Sequence, residues 1–360
     1  MNALLKEITG FPREMIFLLL IWLSSTRVSV ACPLYERNYL LDFMGAVKSD
    51  YNSLQSWQGF NCCDWRGVTC SHDLGSHVTG LDLSDFGLQG EIHSSLFKLE
   101  YLQDFNLREN FLTKIPSDIG KLRRLTRLDL SRGTWKGEIP RTLGNLRNLR
   151  YLDVGVSSDD PDWQRLQTPR FASWLQNLTR LEHLFLNGVN IYPEEASSEW
   201  GEVITTLANL TNLELYDCGL SGQLPPSIAN LSRLVTLGLG GNYLTGVMPP
   251  SLGNLSALDS LNLAGNKLNG TIPSSISKLV RLTSLDLSSN RLSGHISFSS
   301  FDNFTRLENM DLSHNRLTVR IDSTWMPNFN SLNSLGLDSC NLVEIPPFLV
   351  NQFENRVETE

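Results

Sequence analysis

Residues 231–249 read LSRLVTLGLGGNYLTGVMP. The pattern returns at Leu255 as LSALDSLNLAGNKLNGTIP and at Leu279 as LVRLTSLDLSSNRLSGHI. The shared template is LxxLxxLxLxxNxLxGxIP. Aligned on the second leucine of the LxL core, it recurs at Leu83, Leu107, Leu130, Val154, Leu186, Leu215, Leu239, Leu263, Leu287, Leu312 and Leu337. The steps run 24, 23, 24, 32, 29, 24, 24, 24, 25 and 25 residues. A fixed period of this size means that supersecondary units stack on one another to form a solenoid. That overrides the two or three domains that 360 residues would otherwise suggest.

Each copy carries its own physical logic. The xLxLx segment alternates apolar and polar, which is a strand with one buried face. Stacked in parallel, these strands should line a concave surface, with leucines inward and the x residues outward. The template asparagine, held by Asn110, Asn242, Asn266, Asn290 and Asn315, has donors and an acceptor for buried turn groups. Cys218 and Cys340 hold that place in two repeats and read as structural, unpaired thiols. Phe86, Gly133, Ser157 and Val189 hold it in others, so the N-terminal half is the less regular one.

At the N-terminus, Lys6 and Arg13 precede an apolar run from Met15 to Leu23, and Ser29-Val30-Ala31 offers small residues for cleavage. Residues 1–31 read as a signal peptide, the run being short for a bilayer span. Their removal takes the net charge from -8 to -9, which disfavours nucleic acid as a partner. A helix is expected over Glu36–Lys48, its apolar face formed by Leu40, Leu41, Met44 and Val47. Four cysteines follow the export signal: Cys32, Cys62, Cys63 and Cys70. Adjacent Cys62 and Cys63 are poor partners for each other, which leaves two pairings open. A zinc site is the weaker alternative, with no supporting CxxC or histidine spacing.

The xLxGxIP ending, as in Leu220-Ser221-Gly222-Gln223-Leu224-Pro225, resembles the plant subclass of leucine-rich repeats. Trp57 and the run Cys62-Cys63-Asp64-Trp65-Arg66-Gly67-Val68-Thr69-Cys70 resemble the N-terminal cap of plant receptor-like proteins, receptor-like kinases and polygalacturonase-inhibiting proteins. The doubled cysteine and the long repeats are most similar to the receptor-like proteins. The resemblance implies disulfides Cys32–Cys62 and Cys63–Cys70. It implies an α/β fold, a right-handed leucine-rich-repeat solenoid with a disulfide-stapled N-terminal cap. The expected order is a signal peptide (1–31), the cap (32–77), about eleven repeats (78–346, irregular at 157–207), and an incomplete repeat or frayed tail (347–360). The implied function is an extracellular ligand-binding ectodomain serving defence or development. It has no kinase of its own and signals through a co-receptor kinase. The ligand would be a protein or peptide, and no cofactor or metal is implied. The chain is expected to be the front part of a longer plasma-membrane receptor. A secreted apoplastic inhibitor of cell-wall-degrading enzymes is the alternative.

For the ligand, the outward positions that depart most from repeat filler are Arg108, Arg127, Arg132, Arg150, Tyr151, Glu182, His183, Phe185 and Tyr216. Asp129, Asp153, Asp286 and Asp311 are the filler of an LDL core. Residues 121–150 hold nine basic side chains against Asp129 and Glu138, a local +7 that could bind an anionic glycan. Arg127, Arg132 and Arg150 are its candidate contacts. Six sequons place glycosylation at Asn177, Asn209, Asn230, Asn254, Asn269 and Asn303. Asn177, Asn230, Asn254 and Asn303 each lie nine residues before their core leucine and should form one rail. The acidic loops with Trp163 and Trp200 are a further candidate contact. No GxSxG, HExxH or P-loop motif points to an enzyme.

Overall fold

The computed structural model describes residues 31–49, 53–73, 75–156, 166–191, 199–320 and 331–342. The expected signal peptide (its last residue, Ala31, apart), the tail at 347–360 and the Ser158–Trp163 loop lie outside them. Among the described residues, no helix is long and apolar enough to cross a membrane.

The LxL cores build one twelve-stranded sheet. It runs from Val68–Cys70 and Val78–Asp82 through Arg127–Asp129, Tyr151–Asp153, His183–Phe185 and Asn212–Glu214 to Ser334–Gly336. All neighbours pair in parallel except the first two, where Val68–Cys70 lies antiparallel and closes the N-terminal edge. The central leucines Leu128, Leu152, Leu184, Leu213 and Leu237 are fully buried, as a period-two strand requires.

The repeat ending forms a second sheet. Strands Ser221–Gln223, Tyr243–Val247, Lys267–Gly270, Arg291–Ser297, Arg316–Arg320 and Asn341–Leu342 pair in parallel over six repeats. Gly246 and Gly270 sit at φ +76° and +73°, a backbone region that an L side chain rarely adopts. Between the sheets, short 3-10 turns such as Arg141–Asn145, Pro226–Asn230 and Pro250–Asn254 stack repeat on repeat. Ser251 Oγ donates to the Pro226 carbonyl at 2.8 Å, and Ser275 Oγ to that of Pro250 at 2.6 Å.

The asparagines join adjacent repeats. Asn266 Nδ2 donates to the carbonyls of Leu263 and Ala264 in its own repeat and of Leu239 in the one before. Its Oδ1 accepts from Leu244 N. Cys218 Sγ reaches the Leu186 carbonyl at 3.1 Å and Cys340 Sγ that of Leu312 at 3.2 Å, so each thiol supplies the donor. Where Gly133 replaces asparagine, Trp135 Nε1 donates to the Leu130 carbonyl instead. A Cβ on Gly133 would stand 2.3 Å from that indole nitrogen, so the missing side chain makes room for the substitute donor. One residue before this place, Glu109, Arg132, Asp217 and His314 all have φ between +53° and +57°, turning the chain off its strand.

The cap helix spans Leu34–Ala46. Its buried side chains are Glu36, Leu40 and Phe43, while Leu41 and Met44 of the expected apolar face are only half-buried. Glu36 is 1% exposed yet satisfied: Oε2 accepts from Val78 N at 2.7 Å, and Oε1 lies 2.9 Å from His77 Nδ1. Cys32–Cys62 and Cys63–Cys70 are bonded, with Cα separations of 5.7 and 5.6 Å. The Sγ atoms of Cys32, Cys62 and Cys63 lie within 4.8 Å of one another, but as disulfides they offer no thiolate for zinc.

Candidate ligand-binding face

Strand register sets out the outer face of the long sheet in rows. One row holds Asp104, Arg127, Tyr151, His183 and Asn212; the next holds Asn106, Asp129, Asp153, Phe185 and Glu214. Across the strands that carry Arg127, Tyr151 and His183 these side chains touch. The Arg127 guanidinium carbon lies 3.7 Å from the Tyr151 ring centroid, a cation–π contact. The Tyr151 ring stands 5.7 Å from that of His183 and 5.6 Å from that of Phe185. His183 and Phe185 stack at 6.4 Å, and His183 Nδ1 lies 3.0 Å from Asn212 Oδ1. Arg127, Tyr151, His183 and Phe185 are all partly exposed, forming a continuous aromatic–cationic patch.

Carboxylates underlie it. Arg127 Nη2 donates to buried Asp129 at 2.7 Å, and the Tyr151 hydroxyl lies 3.5 Å from both Asp129 and Asp153. Burial, then the neighbouring Asp129 and Asp153 charges, push the Tyr151 hydroxyl up to about 12, so it remains a neutral donor at physiological pH. Tyr216 is likewise raised to about 12 by burial and by Glu214. It lies across Gly238 and Gly240: a Cβ on Gly238 would come within 2.5 Å of its ring. Glycine in the next repeat is therefore what admits this tyrosine.

The LDL aspartates do turn work. Oδ1 of Asp129, Asp153, Asp286 and Asp311 accepts the backbone N–H two residues on, from Ser131, Gly155, Ser288 and Ser313. Asp153 differs in its proton. Burial raises its carboxyl to about 6, and the Asp129 and Glu214 charges add to this. A carboxyl whose folded pKa lies above its unfolded value takes up a proton on folding, so stability falls as pH rises from about 4 to 6. Asp153→Asn keeps the acceptor for Gly155 and removes the charge. The variant should match the parent near pH 4 and exceed it near pH 7 by roughly 1–2 kcal/mol. Thermal unfolding at both values checks this; an equal gain at both would be incompatible with the proton linkage.

The remaining candidates fall into pairs. Arg108 and Arg132 share Glu109, at 3.0 and 2.9 Å, and Arg150 meets Glu182 at 3.2 Å. The three arginines expected to hold an anion thus already face carboxylates, Arg127 on its own strand and Arg132 and Arg150 across a neighbouring repeat, which a linear charge count does not reveal. Trp200 is 1% exposed and donates to the Ser221 carbonyl, so it belongs to the packing of its repeat. Of the sequon asparagines, Asn177, Asn230, Asn254, Asn269 and Asn303 are exposed, the second and third at the ends of successive 3-10 turns. Asn209 is half-buried, with Nδ2 on the Thr179 carbonyl and Oδ1 accepting from Arg233.

Comparison with known proteins agrees with this architecture. The leucine rich repeat N-terminal domain matches residues 33–71, the leucine-rich repeat region 76–218, and the leucine rich repeat 232–292 and 281–342. The chain belongs to the leucine-rich-repeat proteins. Within them it is homologous to plant receptor-like proteins. Over 209 residues it is 32% identical to receptor-like protein EIX1 of Solanum lycopersicum, covering 53% of this chain and 19% of that protein. Over 203 residues it is 36% identical to receptor-like protein 6 of Arabidopsis thaliana, covering 53% and 20%. The match thus spans about a fifth of the length of these relatives. The Arabidopsis receptor kinase HAESA, in complex with the peptide hormone IDA and the co-receptor SERK1, superposes with TM-score 0.73 at 31% identity, over 85% of this chain and 50% of that one.

Proposed function

We propose that this chain is the ligand-binding part of an extracellular receptor-like protein, and that it recognises a peptide or protein on the outer face of its long sheet. The observation that carries this is the patch of Arg127, Tyr151, His183 and Phe185, contiguous over three strands and partly exposed. Aromatic and arginine side chains are the residue types that dominate binding energy at protein interfaces. Beyond them the face turns to small side chains, such as Ser260 and Ser284, which leave space for a ligand's backbone. In this reading the carboxylates at the patch are scaffolding, engaged in turns and ion pairs. Signalling would pass to a co-receptor kinase, as the complexed HAESA structure suggests by analogy. Glycans on the exposed sequons would lie off the patch, since those asparagines sit outside the long sheet's strands.

The test is selection of a random-peptide library on the immobilised chain, followed by titration against Tyr151→Ala/Phe185→Ala. Recovered peptides should share a motif and bind the variant roughly thirtyfold more weakly, the loss of about 2 kcal/mol typical of an anchor residue. Peptides that bind parent and variant alike would remove the patch as the recognition site.

A further inference from the structure

Arg123, Arg124, Arg147 and Arg180 are exposed and have no acidic partner among the described residues, unlike the arginines on the outer sheet face. All four lie in the turns that lead into the strands. Arg124, Asn148 and Arg180 each stand three residues before Arg127, Tyr151 and His183, which are register partners, so they form one row along the flank of the solenoid. The row is built. Arg180 Nη1 donates to Asn148 Oδ1 at 2.8 Å, and Asn148 Nδ2 to the Arg123 carbonyl at 2.9 Å. Toward the cap, the Arg124 guanidinium carbon lies 4.3 Å from the Tyr101 ring centroid, and Tyr101 stacks on His77 at 3.7 Å. An open depression of about 440 Å³ lies on this flank, lined by Arg147, Asn148, Gln176, Asn177, Thr179 and Arg180.

We propose that this flank is a second binding surface, separate from the sheet face, and that it takes a linear acidic polysaccharide of the uronic-acid class. Guanidinium groups match carboxylates in planar, two-pronged geometry. The interleaved amides and the Thr179 hydroxyl suit sugar hydroxyls, and the exposed edge of the Tyr101–His77 stack continues the line. Parallel strands recur at about 4.8 Å, so Arg123 and Arg147 stand one strand apart and Arg124 and Arg180 two, which sets the cations in line for a polymer that carries a charge on each sugar. A folded acidic partner would need an apolar centre to its contact; Val235, Tyr243, Val247 and Val280, the exposed large apolar residues of the later repeats, are not on this stretch. The sequon pattern also leaves the stretch open: the corresponding turn positions are Lys98, Lys121 and Asn145, none a sequon, until Asn177 at the rim of the depression.

The experiment titrates the secreted, glycosylated chain with unesterified oligogalacturonate, with its methyl-esterified form and with polyglutamate, at low and high salt. Unesterified oligogalacturonate should bind, more weakly as salt rises, and more tightly than either control. Arg147→Gln/Arg180→Gln should weaken it by about tenfold or more. Arg291→Gln/Arg316→Gln, an equal charge loss at exposed sites of the second sheet, should change it less than about twofold. Matching melting temperatures show that the exposed substitutions leave the fold intact. Equal losses from both pairs, equal binding of the methyl ester, or tighter binding of polyglutamate would each overturn the proposal. So would binding that appears only after enzymatic deglycosylation, because the depression would then hold the protein's own Asn177 glycan. The flank variants should still bind peptides selected on the sheet face, so failure here is separable from failure of that reading.

Discussion

Asn242→Ala should destabilise the central repeats by roughly 3–5 kcal/mol. Asn242 is 3% exposed and makes five hydrogen bonds to the backbone. Its Oδ1 accepts from Cys218 N and Leu220 N, and its Nδ2 donates to the carbonyls of Leu215, Leu239 and Gly240. Alanine would strand these groups away from water, and each unsatisfied buried group costs about 1–3 kcal/mol before relaxation. Asn242→Cys should cost less than Asn242→Ala, because Cys218 shows that a thiol can supply the donor at this place. The clearest readout is amide hydrogen exchange at Cys218 and Leu220, which should accelerate strongly in the alanine variant, with denaturant unfolding giving the magnitude. A loss below about 1 kcal/mol would mean that water replaces the amide, and the asparagine would not be what holds the repeats together.

Cys32→Ser/Cys62→Ser should cost roughly 3–4 kcal/mol, from the entropy of a loop thirty residues long. Cys63–Cys70 spans only seven residues, and its removal should cost roughly 2–3 kcal/mol in the same treatment. The consequence is local before it is global. The long bridge ties the start of the cap helix to the segment that carries Trp57 and Trp65, whose rings stack at 5.4 Å. Once loosened, the helix leaves the Ser94–Lys98 turn of the first repeat and exposes buried Leu96 and Phe97, part of the apolar end that a terminal unit must cover. The double variant should therefore self-associate on mild heating, measurable by light scattering, while the second sheet keeps its exchange protection. A monomeric variant with unchanged melting would show that the Glu36–His77–Val78 contacts hold the cap without help.

The leucine positions, the parallel sheet and the asparagine role were legible because each recurs with the period and each satisfies a need of the backbone. The pairing of four cap cysteines was legible only through family resemblance. The second sheet was not, because one leucine and one glycine per repeat make too short an alternation to distinguish a strand from a turn. Glu36 was hidden for a related reason: a carboxylate on a helix reads as solvent-facing until Val78 N and His77 are brought to it from 41 or 42 residues away. At the candidate face, the outward positions could be named from the period, and Arg127, Tyr151, His183 and Phe185 do meet. Which arginines are neutralised could not be named, because Glu109 meets Arg132 and Glu182 meets Arg150 only across a repeat whose length varies.

The asparagine that joins repeats is absent from four successive copies of the template, at Gly133, Ser157, Val189 and Cys218. The first three belong to the strands that carry Arg127, Tyr151 and His183. The solenoid therefore resembles a beam whose joints are bolted on either side, at Asn110 and from Asn242 to Asn315, and dowelled in between. A bend along this stretch would change the distance from Arg127 to Phe185, since both stand on it. A ligand that grips both would feel the stiffness of the scaffold as part of its affinity.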